Sequence, residues 1–181
     1  MNDSSPKPMI VGRPVLLVMG HPSKVEHMLE ETKAAMLQAL VQAARDNDVP
    51  IIRFEERGGL TAEPGIRPRS ENGREPVHGE NGPDYVLSKW RHSGFKGTDL
   101  TILLKGLDAQ TLILAGYHSD VAIHYTFVDA HQHDFFARVA EDSLAGSSDA
   151  AHDYALTAME YLQGGARRTT AELIDGFSKL A

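Results

Sequence analysis

Two short segments concentrate the residue types that do chemistry: Lys89-Trp90-Arg91-His92-Ser93-Gly94-Phe95 and Gly116-Tyr117-His118-Ser119-Asp120-Val121-Ala122. A partly buried ammonium such as that of Lys89 stabilises a developing oxyanion or an adjacent carboxylate. His21 titrates near neutrality and could move a proton. Glu55 and Glu56 stand just past an apolar run and could bring a carboxylate in from the side, although a solvated loop glutamate is the ordinary expectation for both. The chain has no cysteine, which removes thiolate catalysis, cysteine-ligated zinc and disulfides together. His118, His124, His131 and His133 lie close in sequence, and His131-x-His133 could suggest a metal. On a helix, residues two apart point in different directions, so these read as helix-surface or interface histidines and no metal is expected.

The elements that must position these residues follow from hydrophobic patterning. Pro14 to Met19 form a continuous apolar run of the kind buried on both faces of a parallel sheet. A helix is predicted over Lys24 to Asp46, where apolar residues from Val25 to Ala44 recur at three- and four-residue spacing. Val49 to Phe54 reads as a second buried strand, giving a right-handed βαβ unit. Glu55 to Pro83 is rich in Gly, Pro, Arg and Glu without periodicity, and reads as a long loop, functional or disordered. Regular structure resumes at Tyr85-Val86-Leu87. A helix follows near Thr98 to Gly106, then a strand over Thr111 to Ala115, a helix over Asp120 to His133 and a strand over Phe135 to Ala140. Helices over Asp149 to Gln163 and Ala171 to Leu180 complete the chain.

This alternation predicts an α/β fold: three α-β-α layers around a mostly parallel, Rossmann-like sheet of about five or six strands. Ligands in such sheets bind beyond the carboxyl ends of strands. That rule singles out Gly20-His21, Lys89 and the run from Gly116 to Ala122. With 181 residues, 41% apolar, the chain suits one domain over 1–181, with a flexible N-terminus over 1–12 and a long loop over 55–83. The net charge of -7 and the lack of a Lys/Arg stripe argue against nucleic acid or an anionic membrane as partner. No apolar run approaches the roughly 20 residues that span a bilayer. Met1 to Pro8 carries no signal-like apolar stretch, so a cytoplasmic location is the default.

Residues 89 to 95 match Lys-Trp-Arg-x-Ser-x-Phe, and with Gly116 to Ala122 the chain resembles the isochorismatase-like hydrolases, in the form typical of true isochorismatases. The likeness continues through Thr98-Asp99-Leu100, Asp129-Ala130, Glu141-Asp142-Ser143 and Ala155-Leu156, and is poor over 55–83. Members of that family place a catalytic Asp after the first strand, a Lys after the third, and usually a Cys at the start of the helix after the fourth. By this resemblance Lys89 is the family lysine, while Gly20 and Ala122 occupy the Asp and Cys positions. Ala122 closes the acyl-enzyme route. Vinyl-ether hydrolysis needs no cysteine, but it depends on the proton donor that Gly20 removes. His21 is the nearest titratable residue, yet neighbours at a strand end point in different directions.

The resemblance further implies a cis peptide at Tyr117–His118 and an anion-binding nest at the amides of Val121 and Ala122. It places His118 where a substrate-contacting residue usually stands, with Arg91 and Phe95 bracing the pocket wall. The Asp-x-His metal motif of nicotinamidases is absent near residues 54 to 58, so neither metal nor cofactor is expected. The implied partner is a small carboxylated metabolite, and the implied assembly a homo-oligomer, dimer or tetramer, with the 55–83 loop a candidate interface. Two readings follow: a hydrolase with a site rebuilt around Lys89, His118 and either His21 or Glu56, or a non-catalytic member that binds a metabolite or serves as a scaffold subunit.

Overall fold

Pro14 to Met19 are buried without interruption, and this uniform burial puts the first strand at the centre of the sheet. The computed structural model describes residues 8–20, 29–57, 77–79 and 82–180. His21 and residues 24–28 of the expected first helix lie outside them. Strand β1 (Arg13–Met19) pairs in parallel with β2 (Ile51–Glu56) on one side and β5 (Ala109–Tyr117) on the other. Outward lie β4 (Gly82–Lys89) beside β2, and β6 (Phe136–Ala145) then β7 (Arg167–Arg168) beside β5. A three-residue strand, β3 (Val77–Gly79), closes the β4 edge and is the only antiparallel member among the described strands.

The helices are α1 (Glu31–Asp46), α2 (Leu100–Gly106), α3 (His124–Gln132), α4 (Asp149–Leu162) and α5 (Thr170–Phe177). α1 packs with α5, and α3 with α4, completing the three-layer α/β architecture read from the sequence. α1 buries Leu37, Leu40, Val41 and Ala44, the three- and four-residue stripe that a single-sided helix presents to a sheet. Three helices feed the next strand through the same device. Asp48, Asp108 and Asp134 take left-handed φ values of 53°, 53° and 64°, and each amide donates back three residues, to Arg45, Lys105 and His131. Asp tolerates this conformation better than most side chains because its short polar group is small and hydrogen-bonds locally.

Three expectations are corrected. The chain is not a loop throughout 55–83: Glu55 and Glu56 extend β2 because they pair with Ser88 and Lys89, and Val77–Gly79 forms a hairpin with the start of β4. Residues 8–12 of the expected flexible N-terminus are anchored: Val11 and Thr111 exchange hydrogen bonds, and the Arg138 guanidinium holds the carbonyls of Pro8 and Met9. The helix expected from Asp120 begins as a π-helical turn, Ser119–Ile123, before α3. Among the described residues no helix is long and apolar enough to cross a membrane.

Candidate functional site

The carboxyl ends of β1, β2, β4 and β5 converge, and each ends in a residue that matters. Lys89 closes β4 and Glu56 closes β2, and the two are register partners. Residues paired in register lie on the same face of a sheet, so their side chains are brought together by the strand alignment itself. The Lys89 ammonium donates to Glu56 Oε1 and, at 3.3 Å, to the Arg91 carbonyl. Lys89 is 1% exposed, whereas the Glu56 side chain is 38% exposed, so the carboxylate is the member of the pair that meets solvent. Burial pushes the Lys89 pKa down, and the hydrogen bond and charge of Glu56 push back.

Gly20 follows β1 at the point where the strand order turns from β2 to β5, the switch at which open α/β sheets bind ligands. Its φ of 99° lies where an L side chain is strained. The same edge leaves no room at Gly116, where an added Cβ would sit 2.3 Å from the Met19 carbonyl oxygen. At the end of β5 the Tyr117–His118 peptide is cis, and the two rings lie against each other with centroids 3.4 Å apart. Burial lowers the His118 pKa, opposed by the charges of Asp120 and Glu56 and reinforced by Lys89 and His92. His118 Nδ1 is buried with no hydrogen-bond partner among the described residues.

The π-helical turn is fastened from several sides. Ser119 Oγ lies 2.9 Å from His152 Nδ1 on α4, and Asp120 accepts from the amide and hydroxyl of Ser147. Burial alone would raise the Asp120 pKa, but those Ser147 bonds, its own amide and His118 bring it below the usual range. The amides of Val121 and Ile123 both donate to the His118 carbonyl. Ala122 is 1% exposed.

The segment after Lys89 is pinned to α3. Ser93 Oγ donates to Asp129, and the Gly94 amide donates to Thr126 Oγ1, which in turn donates to the Ala122 carbonyl at 2.6 Å. Phe95 stacks on His133 at 5.0 Å. Thr126, fully buried, therefore joins the Lys89 segment to the π-helical turn. Of the residues singled out from sequence, Lys89, His118 and Gly20 are gathered at one edge, and His21 lies outside the described residues. Glu56, read from sequence as an ordinary solvated glutamate but also as one of two residues around which the site could be rebuilt, is beside Lys89. Among the described residues no three His, Asp or Glu side chains converge as metal ligands.

The molecule is a doubly wound α/β domain with a charged pair at the carboxyl edge of its sheet, the edge at which such sheets bind ligands. More narrowly, residues 23–172 match the isochorismatase domain model, and the chain belongs to the isochorismatase family. It is 28% identical over 162 residues to the isochorismatase family protein YaaI of Bacillus subtilis, covering 80% of this chain and 87% of that one. It is 31% identical over 132 residues to the phenazine biosynthesis protein PhzD of Pseudomonas fluorescens, covering 66% and 62%. The fold matches an isochorismatase-like hydrolase from Alkaliphilus metalliredigens with a TM-score of 0.68 at 21% identity, over 92% of this chain and 99% of the other.

Proposed function

We propose that the chain is an isochorismatase-family hydrolase in which Glu56, carried by β2, supplies the carboxylate missing at Gly20 and works with Lys89 on a small carboxylated metabolite. The observation that carries this reading is the Glu56–Lys89 pair at the ends of adjacent strands. The family chemistry needs a carboxylate beside a lysine, and here the carboxylate reaches the lysine from the neighbouring strand. Burial makes the Lys89 ammonium a readier proton source. The carboxylate bonded to it relays that proton to the substrate, and the lysine left neutral recovers a proton from the water that adds to the resulting cation. With a methyl group at Ala122 there is no thiol to form an acyl-enzyme, so water is the nucleophile. His118 and the backbone around Val121 and Ala122 flank the site for the anionic end of the ligand, and Arg91 lends its carbonyl to the lysine.

A second reading, a non-catalytic binding or scaffold subunit, draws on Gly20 and Ala122, which leave both family catalytic positions without a reactive group. A cytoplasmic homo-oligomer fits either reading. Pyruvate release from isochorismate separates them. The hydrolase reading expects turnover in the native chain and a drop on the order of 100-fold or more in Glu56→Gln and Lys89→Ala. Isochorismate binding without turnover in the native chain supports the binding subunit.

A further inference from the structure

We propose that His152 is a positioning residue for the site: from α4, it sets the placement of His118 through the side chain of Ser119. Ser119 follows His118 directly and opens the π-helical turn. Its Oγ lies 2.9 Å from His152 Nδ1, and the residue is fully buried. Such enclosure keeps substrate from the hydroxyl, so its part is to hold position rather than to attack. The chain leading into α4 backs the contact. A Cβ added at Gly146 would lie 3.0 Å from both Ser119 Oγ and His152 Cβ, so neither side chain has slack on that side. The amides of Val121 and Ile123 close on the His118 carbonyl. A shift at Ser119 therefore reaches His118 through both the chain and the turn.

The hold depends on the state of the ring. Burial lowers the His152 pKa, Lys33 of α1 and Arg167 of β7 act in the same direction, and Asp153 and Asp149 of α4 oppose them. On the turn, the Asp120 carboxylate is committed to Ser147. The ring is therefore neutral at neutral pH and protonates below the ordinary histidine pKa of about 6.5. A neutral imidazole offers one nitrogen lone pair and an imidazolium offers none. The lone pair is assigned here to Nδ1, so the Ser119 hydroxyl donates to the neutral ring. Protonation removes that acceptor, and a buried hydroxyl left without one is unfavourable. With Gly146 packed against the pair, relief comes from movement of Ser119, and His118 moves with it. The consequence for ligand binding rests on the function proposed above; the coupling itself does not.

Imidazole nitrogen NMR of the whole protein, labelled at histidine and titrated between about pH 5 and 8, tests this without requiring turnover. His118→Asn and His152→Asn assign the two rings. The expected result is an unprotonated Nδ1 on His152 at neutral pH, and a step in the His118 shifts at the His152 midpoint. Ser119→Ala keeps both rings and cuts the bond, so that step should be lost. His92 also acts on His118, and its effect stays in the variant. A proton on Nδ1 overturns the proposal, as does a native chain without the step. A step that survives in Ser119→Ala overturns it too, since one charge would then act on the other directly. Should Ser119→Ala not fold, the His152 tautomer in the native chain still decides. Isochorismate left unbound by a native chain that shows the step would count against the proposed function and leave the positioning role standing.

Discussion

Glu56 and Lys89 close the last rung between β2 and β4, and the carboxylate accepts a hydrogen bond from an ammonium that is only 1% exposed. The asymmetry of that pair decides what its loss costs. Glu56→Gln strands a buried cation, whereas Lys89→Met removes the cation and leaves Glu56 facing water. Breaking a fully buried pair costs about 3–5 kcal/mol, and the partial exposure of Glu56 reduces this to about 1–3 kcal/mol. Urea denaturation is expected to rank Glu56→Gln below Lys89→Met in stability, although both lose the site. Equal midpoints would mean that the ammonium is satisfied without Glu56.

Placing a carboxylate at Gly20, after the end of β1, is expected to be costly. Gly20 has a φ of 99°, and left-handed backbone costs a side-chain-bearing residue about 1–2 kcal/mol. Gly20→Asp and Gly20→Ala should both lower the thermal midpoint by similar amounts. Gly20→Asp matching the native chain would show that the backbone there relaxes to a form that accepts a side chain.

Thr126 links two parts of the site through one hydroxyl, accepting from the Gly94 amide and donating to the Ala122 carbonyl. Thr126→Val keeps the shape and orphans both partners, for a loss of about 1–3 kcal/mol. Thr126→Ser, which keeps the hydroxyl, should recover most of it. A serine variant no more stable than the valine one in chemical denaturation would place the effect in packing.

Asp48 occupies a left-handed position after α1, with a φ of 53°. Asp48→Gly relieves that backbone and is expected to stabilise by about 0.5–1 kcal/mol, after allowing for the greater freedom of glycine in the unfolded chain. Calorimetric midpoints of the two proteins measure it directly.

Mild acid is expected to weaken the fold through its buried histidines. Burial lowers the pKa of His118, His124 and His152, so just below the ordinary histidine pKa the unfolded chain binds more protons than the folded one. Stability therefore rises with pH through that window and falls as pH drops below about 6.5. Urea midpoints measured between about pH 5 and 7 should show this slope, and His152→Gln should flatten it. A stability that is flat over that range would contradict the burial of these rings.

The centre of the sheet was legible because its strands are buried on both faces. The runs in β1 and β5 are continuously apolar, which leaves little else for them to be. The edge was not legible, for two physical reasons. Val77–Gly79 is too short to carry a pattern, and β4 starts with Gly82-Pro83, residues that read as turn. Pro83 is tolerated there because β2 first pairs with β4 at Asp84, so its missing N–H disrupts no rung on that side. Glu56 could be named as a candidate but not preferred over His21. Ile52, Phe54 and Glu56 alternate along one face of β2, but only the pairing with Lys89 turns the last of them into part of a site. The lysine motif itself was readable, since Ser93, Gly94 and Phe95 each have a specific contact in the fold.

The first of the described strands is the central one, and this orders how the sheet can assemble. β1 completes its second flank only when residues 109 to 117 are available, and the carbonyls of Pro8 and Met9 wait for Arg138. During synthesis the apolar β1 stays exposed on one edge from the emergence of β2, ending at Glu56, until residues 109 to 117 follow. Closures over such separations are slow, and unpaired apolar strand edges are what chaperones recognise. The central position of β1 thus makes the growing chain most vulnerable to aggregation between the emergence of β2 and that of β5.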